Sequence, residues 1–112
     1  MAQYIRIYGL NMKILASIRI IPIGTGDPSI SKYVAGVVEI LRDLGLRYMI
    51  GPFNTSVEVE RISDLNIIIE KIIDYFKKSG VKRVAIDIQL DIRLDKEITL
   101  EYKIRSVEEK IT

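Results

Sequence analysis

Neither cysteine nor histidine occurs in these 112 residues, and that absence removes most of the chemistry a small domain can do. Thiol nucleophiles, histidine acid–base catalysis, zinc sites built on Cys or His, and haem or iron–sulfur ligation are all excluded. Asp, Glu, Lys, Tyr and Ser remain, and no nucleophile among them stands in coupled spacing with a base. The residues therefore point to binding, with no catalytic centre. The informative polar side chains are those that alternate with apolar ones in extended segments. Ser17 and Arg19 do so in one segment, Glu58 in a second, and Asp87, Gln89 and Asp91 in a third. Alternation places each set on one face of its strand. Such a face is either solvated and laced with cross-strand ion pairs worth at most about 1 kcal/mol each, or a polar pocket that a second subunit closes.

Two loops could hold an ion. Gly24-Thr25-Gly26 joins a strand end to a helix start, where backbone N–H groups can receive an anion. The run lacks the Gly-Lys-Ser/Thr of a P-loop, Ser29 stands where a dinucleotide fingerprint needs its third glycine, and Asp27 opposes a phosphate. A tight turn that requires glycine accounts for it. Asp91 and Asp95 could bind Mg²⁺, but Arg93 and Lys96 neutralise them, which predicts a self-paired rim. No metal site and no cofactor is expected. Tyr33 and Tyr48 read as core-edge residues, although either could stack on a flat ring.

Placing these residues requires the elements that carry them. Met12 to Ile23 reads as a strand with Ile14, Ala16, Ile18 and Ile20 on one face and Leu15, Ser17, Arg19 and Ile21 on the other. Pro22 and the Gly24–Pro28 run end it. A helix follows, capped by Ser29 or Ser31, with Val34, Val37, Val38 and Leu41 inward and Gly45 as its stop. Arg47–Ile50 and Thr55–Glu60 read as an antiparallel pair because the Gly51-Pro52 link is short. Ser63 is expected to cap a second helix with Leu65, Ile68, Ile69, Ile72, Ile73 and Phe76 inward and Gly80 closing it. Val81 to Leu94 alternates as a long strand.

The order β-α-β-β-α-β with right-handed crossovers predicts an α+β, ferredoxin-like sandwich: a four-stranded antiparallel sheet with both helices on one face. The first strand then lies between the third and fourth, with acids expected on both sides of Arg19. Leu100, Ile104, Val107 and Ile111 recur at helical spacing and predict a C-terminal helix from Thr99 to Lys110. Its stripe has no place in a completed two-layer core, so a partner copy is its expected acceptor. Residues 12–112 form one domain. Residues 1–11 are an N-terminal extension, in which Tyr4, Ile5, Ile7 and Tyr8 suit an added strand unless Met12 is the true start.

The 17 basic and 15 acidic residues are interleaved and leave a net charge of +2, without the basic stripe of a nucleic-acid binder. No apolar stretch approaches the roughly 18 residues of a membrane helix, and the start lacks a signal-peptide pattern. A soluble cytoplasmic protein with no nucleic-acid or membrane partner is expected. High isoleucine, abundant Lys and Glu and no Cys are consistent with a thermophilic source.

Three separated segments carry a resemblance. Pro22-Ile23-Gly24-Thr25-Gly26 with Ser29-Ile30-Ser31-Lys32-Tyr33-Val34, then Asn54-Thr55 with Glu58, then Asp91, Arg93, Asp95-Lys96 and the tail from Lys103 to Lys110, together resemble the small thiamine-binding-protein family. The match runs from Met12 to Ile111. It implies a ferredoxin-like subunit assembled into dimers and commonly tetramers, which binds thiamine or its hydroxymethylpyrimidine part and has no established catalysis. Ser17, Arg19 and Asn54 stand where the family pattern has Glu, Ser and Gly. On this resemblance the ligand is expected on the open sheet face near a subunit boundary, contacted by Thr55, Glu58, Asp87 and Gln89, with Arg19 at its edge. Thr55 enters from the family motif, since its parity in a regular strand is wrong and it needs the Asn54 turn or a bulge. The alternative is a structural or regulatory homo-oligomer whose open face binds protein and no metabolite; the fold serves both uses.

Overall fold

A computed structural model of the chain describes residues 13–111. The expected extension and its added strand fall outside the described residues. In chain order the elements are β1 (Ile14–Ile23), α1 (Ser31–Asp43), β2 (Tyr48–Ile50), β3 (Thr55–Val59), α2 (Ile62–Lys78), β4 (Arg83–Asp91) and α3 (Leu100–Glu108). The sheet runs β2-β3-β1-β4 and is antiparallel at every pairing. This is the ferredoxin-like order that the alternation of strand and helix periods predicts, with one helix added.

β1 forms where isoleucines alternate with smaller or polar residues, and it is buried in the middle of the sheet. Ile14, Ala16, Ile18 and Ile20, with Val57 and Val59 of β3, pack beneath Val37 and Leu41 of α1 and Leu65, Ile68, Ile72 and Phe76 of α2. Each fully buried aliphatic contributes about 1.5–3 kcal/mol relative to exposure. Tyr33 stacks on Phe76 with ring centroids 5.5 Å apart, so it is a core residue and no platform for a ligand. Gly36 lets the two helices approach: a Cβ there would stand 2.2 Å from the Tyr75 ring. Gly45 and Gly80 take positive φ just beyond α1 and α2, and the following N–H groups of Leu46 and Val81 return to Leu41 and Phe76 carbonyls.

Local chemistry moves several expected boundaries. The cap of α1 is Ile30, without a side-chain bond. Ser29 is turned away from that role, its N–H donated to the Asp27 carboxylate at 2.8 Å and its hydroxyl facing that of Ser31 at 3.3 Å. α2 starts ahead of Ser63 because Asp64, buried in the first turn, accepts the N–H groups of Glu60 at 3.2 Å and Arg61 at 3.1 Å. A carboxylate in that turn also suits the positive helix end. Ile73 is 45% exposed, since the 3.6-residue period carries it to the flank of the Leu65–Phe76 stripe. β4 stops at Asp91, where its register with β1 ends at Leu15, instead of running on to Leu94.

The expectation of a complete two-layer core is also corrected. Leu15 points to the open face and is buried there by Ile98 and Leu100, with Met49 alongside. The start of α3 therefore packs on the sheet of its own chain. Further along the same stripe, Ile104, Val107 and Ile111 are exposed.

Ile18→Asp should abolish cooperative thermal unfolding, because it strands a carboxylate among the core side chains. Ile73→Asp, on the exposed flank of α2, should move stability by no more than about 0.5 kcal/mol. Circular dichroism melts of the two variants check the assignment of faces.

Candidate functional site

The strand registers lay out the open face in rows. Glu58, Leu15 and Asp91 form one; Met49, Ser56, Ser17 and Gln89 form the next; Arg19 lies opposite Asp87 in a third. Pairing between β1 and β3 ends at Ile18 and Thr55, so Arg19 has an acid on the β4 side alone. Glu58 sits beside Leu15, two rows away. The expectation of acids on both sides of Arg19 is thereby corrected. Asn54 reaches this face from the hairpin and donates to the Ser17 hydroxyl at 2.7 Å.

Thr55 lies on the other side of the sheet. It pairs with Ile18 in an unbroken register, shares the helix-facing side with Val57 and Val59, and is 3% exposed. No bulge turns it toward the open face, which corrects the geometry expected for it. Arg19, Asp87 and Gln89 are exposed on the open face. The five residues expected to share a site therefore divide between two surfaces.

Glu58 is 4% exposed, and its carboxylate Oε2 accepts the Leu100 N–H at 2.9 Å. Lys13 Nζ stands 3.5 Å from Oε1 and Arg47 Nε 3.9 Å from Oε2, so the buried charge is compensated, although Oε1 makes no hydrogen bond among the described residues. This carboxylate ties the first turn of α3 to the sheet. Arg47 also pairs with Glu101, and Lys103 of α3 with Asp91 of β4. The Glu101 carboxyl is held below its usual range, first by a backbone hydrogen bond and then by Arg47. Lys96 donates to the Tyr102 hydroxyl at 2.6 Å and lowers its pKa. Arg93 closes on Asp95 as a self-paired rim.

Between the sheet and α3 these contacts leave a cleft of about 410 Å³. Ser17, Ser56 and Gln89 supply hydroxyl and amide groups, Leu15, Met49, Leu100 and Ile104 apolar surface, and Asp91 and Lys103 one charge of each sign. Of the residues expected from sequence, Gln89 lines this cleft directly. Ser56 was legible from its alternation with Glu58, whereas Met49 and Lys103 join it through the docking of α3, which no spacing encodes. A second cleft of about 420 Å³ lies between the start of α1 and the β2–β3 hairpin and includes Thr55. Among the described residues no group of three or more His, Cys, Asp or Glu is placed to hold a metal ion, and no helix is long and apolar enough to cross a membrane.

Comparison with known proteins agrees with this architecture. The sequence model of a family described as thiamine-binding protein matches residues 16–108. The UPF0045 protein YqgV of Bacillus subtilis is 44% identical over 97 residues, covering 83% of this chain and 92% of its own. A UPF0045 protein of Methanothermobacter thermautotrophicus is 36% identical over 98 residues, covering 88% of this chain and 99% of its own. A crystal structure from Methanocaldococcus jannaschii superposes with a TM-score of 0.75 at 29% identity, over 88% of this chain and 99% of that one.

Glu58→Ala removes the acceptor of the Leu100 N–H and should cost about 1–3 kcal/mol, the range for losing a charged hydrogen-bond partner. Hydrogen exchange should show the α3 amides losing protection while those of α2 are retained. Equal protection in both proteins would mean that Glu58 does not seat α3.

Proposed function

We propose, from the premise that this chain belongs to the thiamine-binding protein family, that it binds thiamine or the hydroxymethylpyrimidine part of that vitamin without transforming it. The observation that carries this reading is the open-face cleft, in which Ser17 and Gln89 are cross-strand neighbours beneath an apolar wall. Its volume lies within the roughly 300–1,000 Å³ of small-molecule sites. An aminopyrimidine presents an N–H donor and ring acceptors along one edge. The Gln89 amide has both a donor and an acceptor, and the Ser17 and Ser56 hydroxyls can serve as either. Asp91 and Asp87 favour the cationic thiazolium, while Arg19 opposes it from the far row. In this reading Gln89 contacts the ligand, Asp87 and Arg19 set the charge at its edge, and Glu58 acts by seating α3. A solved protein of Thermotoga maritima, provisionally assigned to thiamine biosynthesis or salvage, has a TM-score of 0.71 at 24% identity and supports the fold.

A second copy of the chain closes the cleft in this proposal. Ile104 and Val107 are 46% and 59% exposed on α3, Ile111 is 71% exposed just beyond its end, and Leu94 is 81% exposed in the preceding loop. Closed symmetric assembly, as a dimer or tetramer, is the usual way to bury such a patch. The same patch favours the second reading, a structural or regulatory homo-oligomer without a metabolite.

Calorimetry with thiamine and with hydroxymethylpyrimidine should give saturable heat. Gln89→Leu should weaken binding by about 1–3 kcal/mol, since the ligand edge then loses its partner. Saturable heat unchanged by Gln89→Leu would remove this cleft, and no heat from either compound would favour the structural oligomer. Light scattering at micromolar concentration should give at least twice the monomer mass; a monomer would contradict closure by a second copy.

A further inference from the structure

The described lining of the open-face cleft contains one acid, Asp91 of β4, and one base, Lys103 of α3, and their side chains form an ion pair. Of the two ion pairs that tether α3 to the sheet, Arg47–Glu101 lies outside that lining and Lys103–Asp91 lies within it. The side chains of Lys103 and Asp91 are 49% and 47% exposed, so each keeps bonding capacity beyond the other. An ammonium has three donors, and a carboxylate accepts several bonds. A pair this solvated contributes little to stability and exchanges partners readily.

We propose that Asp91 and Lys103 form a subsite for a ligand with adjoining cationic and anionic groups, and that the cleft selects the phosphate monoester of thiamine over the free alcohol. This inference rests on the thiamine reading of the same cleft and adds the chemical form of the ligand. The strand register gives that ligand a direction. Ser17 and Gln89 form one row, and Asp91 stands in the next row on the same face, two residues and roughly 6.5 Å along β4. An aminopyrimidine over Ser17, Ser56 and Gln89 sets the thiazolium, one carbon away, toward Asp91, whose charge it complements. The two-carbon arm of the thiazolium then carries its terminal oxygen toward the ammonium already paired with Asp91. As an alcohol that oxygen gives Lys103 a neutral acceptor; as a phosphate ester it gives a charged one, and the charge-assisted bond is stronger.

A single ammonium also limits the anion. Lys103 is the one cation of the described lining, and among the described residues no group of three or more His, Cys, Asp or Glu is placed to hold a metal ion. A diphosphate carries further charge that Mg²⁺ or added cations normally offset, and the lining supplies neither. The monoester, with one cationic and one anionic group, matches a cleft that has one of each sign.

The test is calorimetry on the full chain at low salt with thiamine, its monophosphate, its diphosphate and inorganic phosphate. The monophosphate should bind about tenfold more tightly than thiamine, the difference between a charged and a neutral hydrogen-bond partner. The diphosphate should bind no more tightly than the monophosphate, and inorganic phosphate should displace neither. Raising the salt concentration should shrink the preference, since both side chains are exposed. Lys103→Gln should bind thiamine and its monophosphate with equal affinity, whereas Lys103→Arg, which keeps the charge and the tether to Asp91, should retain the preference. The proposal is overturned if Lys103→Gln still prefers the ester, if the diphosphate binds more tightly, or if inorganic phosphate competes as well as the ester. Thiamine bound by the parent without preference for its monophosphate overturns this inference and leaves the thiamine reading standing; no heat from either compound overturns both.

Discussion

β1 is held by β3 on one edge and β4 on the other, and it is buried on its helix-facing side from Ile14 to Ile20 and on its open side at Leu15. A slip of one residue would carry Ile14, Ala16, Ile18 and Ile20 out of the helix-covered core and drive Ser17 and Arg19 into it. The register is therefore fixed by burial, and each functional position is measured from it. Through Ile18 it sets Thr55 on the helix side, and through Ser17 it sets Ser56 and Gln89 on the open side. The two clefts are consequences of the two faces of one strand.

The open face is converted from a bare surface into a cleft by a buried carboxylate. Isolated, the Glu58 charge would be strongly unfavourable at 4% exposure. It is tolerated because Lys13 and Arg47 flank it and the Leu100 N–H donates to it. That bond also satisfies one of the orphan donors at the start of α3. Leu100 then covers Leu15, and the ion pairs Arg47–Glu101 and Lys103–Asp91 orient the rest of the helix. These exposed pairs guide the helix more than they stabilise it. The covering ends after the first turn, which leaves the remaining apolar stripe facing outward.

The two clefts differ in their polar inventory. The open face combines hydroxyl and amide groups with Asp91, Lys103 and, at its margin, Asp87 and Arg19, a mixture suited to a heteroaromatic ring with a cationic neighbour. The helix-side cleft sets Ser29, Ser31, Asn54 and Thr55 among mostly apolar residues, with no Asp or Glu among its described lining residues. Without Cys or His, recognition at the open face falls to amide, hydroxyl and charged groups, which bind and orient more readily than they transform.

The alternation of β1, β3 and β4 and the helical stripes of α1 and α2 determined the fold class, the strand order and most of the core, because periods of 2 and 3.6 are local properties of the chain. The same parity correctly assigned Arg19, Glu58, Asp87 and Gln89 to one face. It also excluded Thr55 from that face, and the regular register kept it so where the family motif had suggested a turn inward. What parity does not carry is distance along the sheet. That Glu58 lies two rows from Arg19, close to Lys13 and beneath the first turn of α3, depends on the stagger between strands and on a contact spanning 42 residues. The start of α2 likewise followed the buried Asp64 and not the nearer serine, since the choice of cap depends on what the tertiary structure buries beside it. Sequence periodicity determined which side each residue faces; the tertiary structure alone decided which of them meet, because long-range burial and charge compensation are properties of neighbours that the chain does not place side by side.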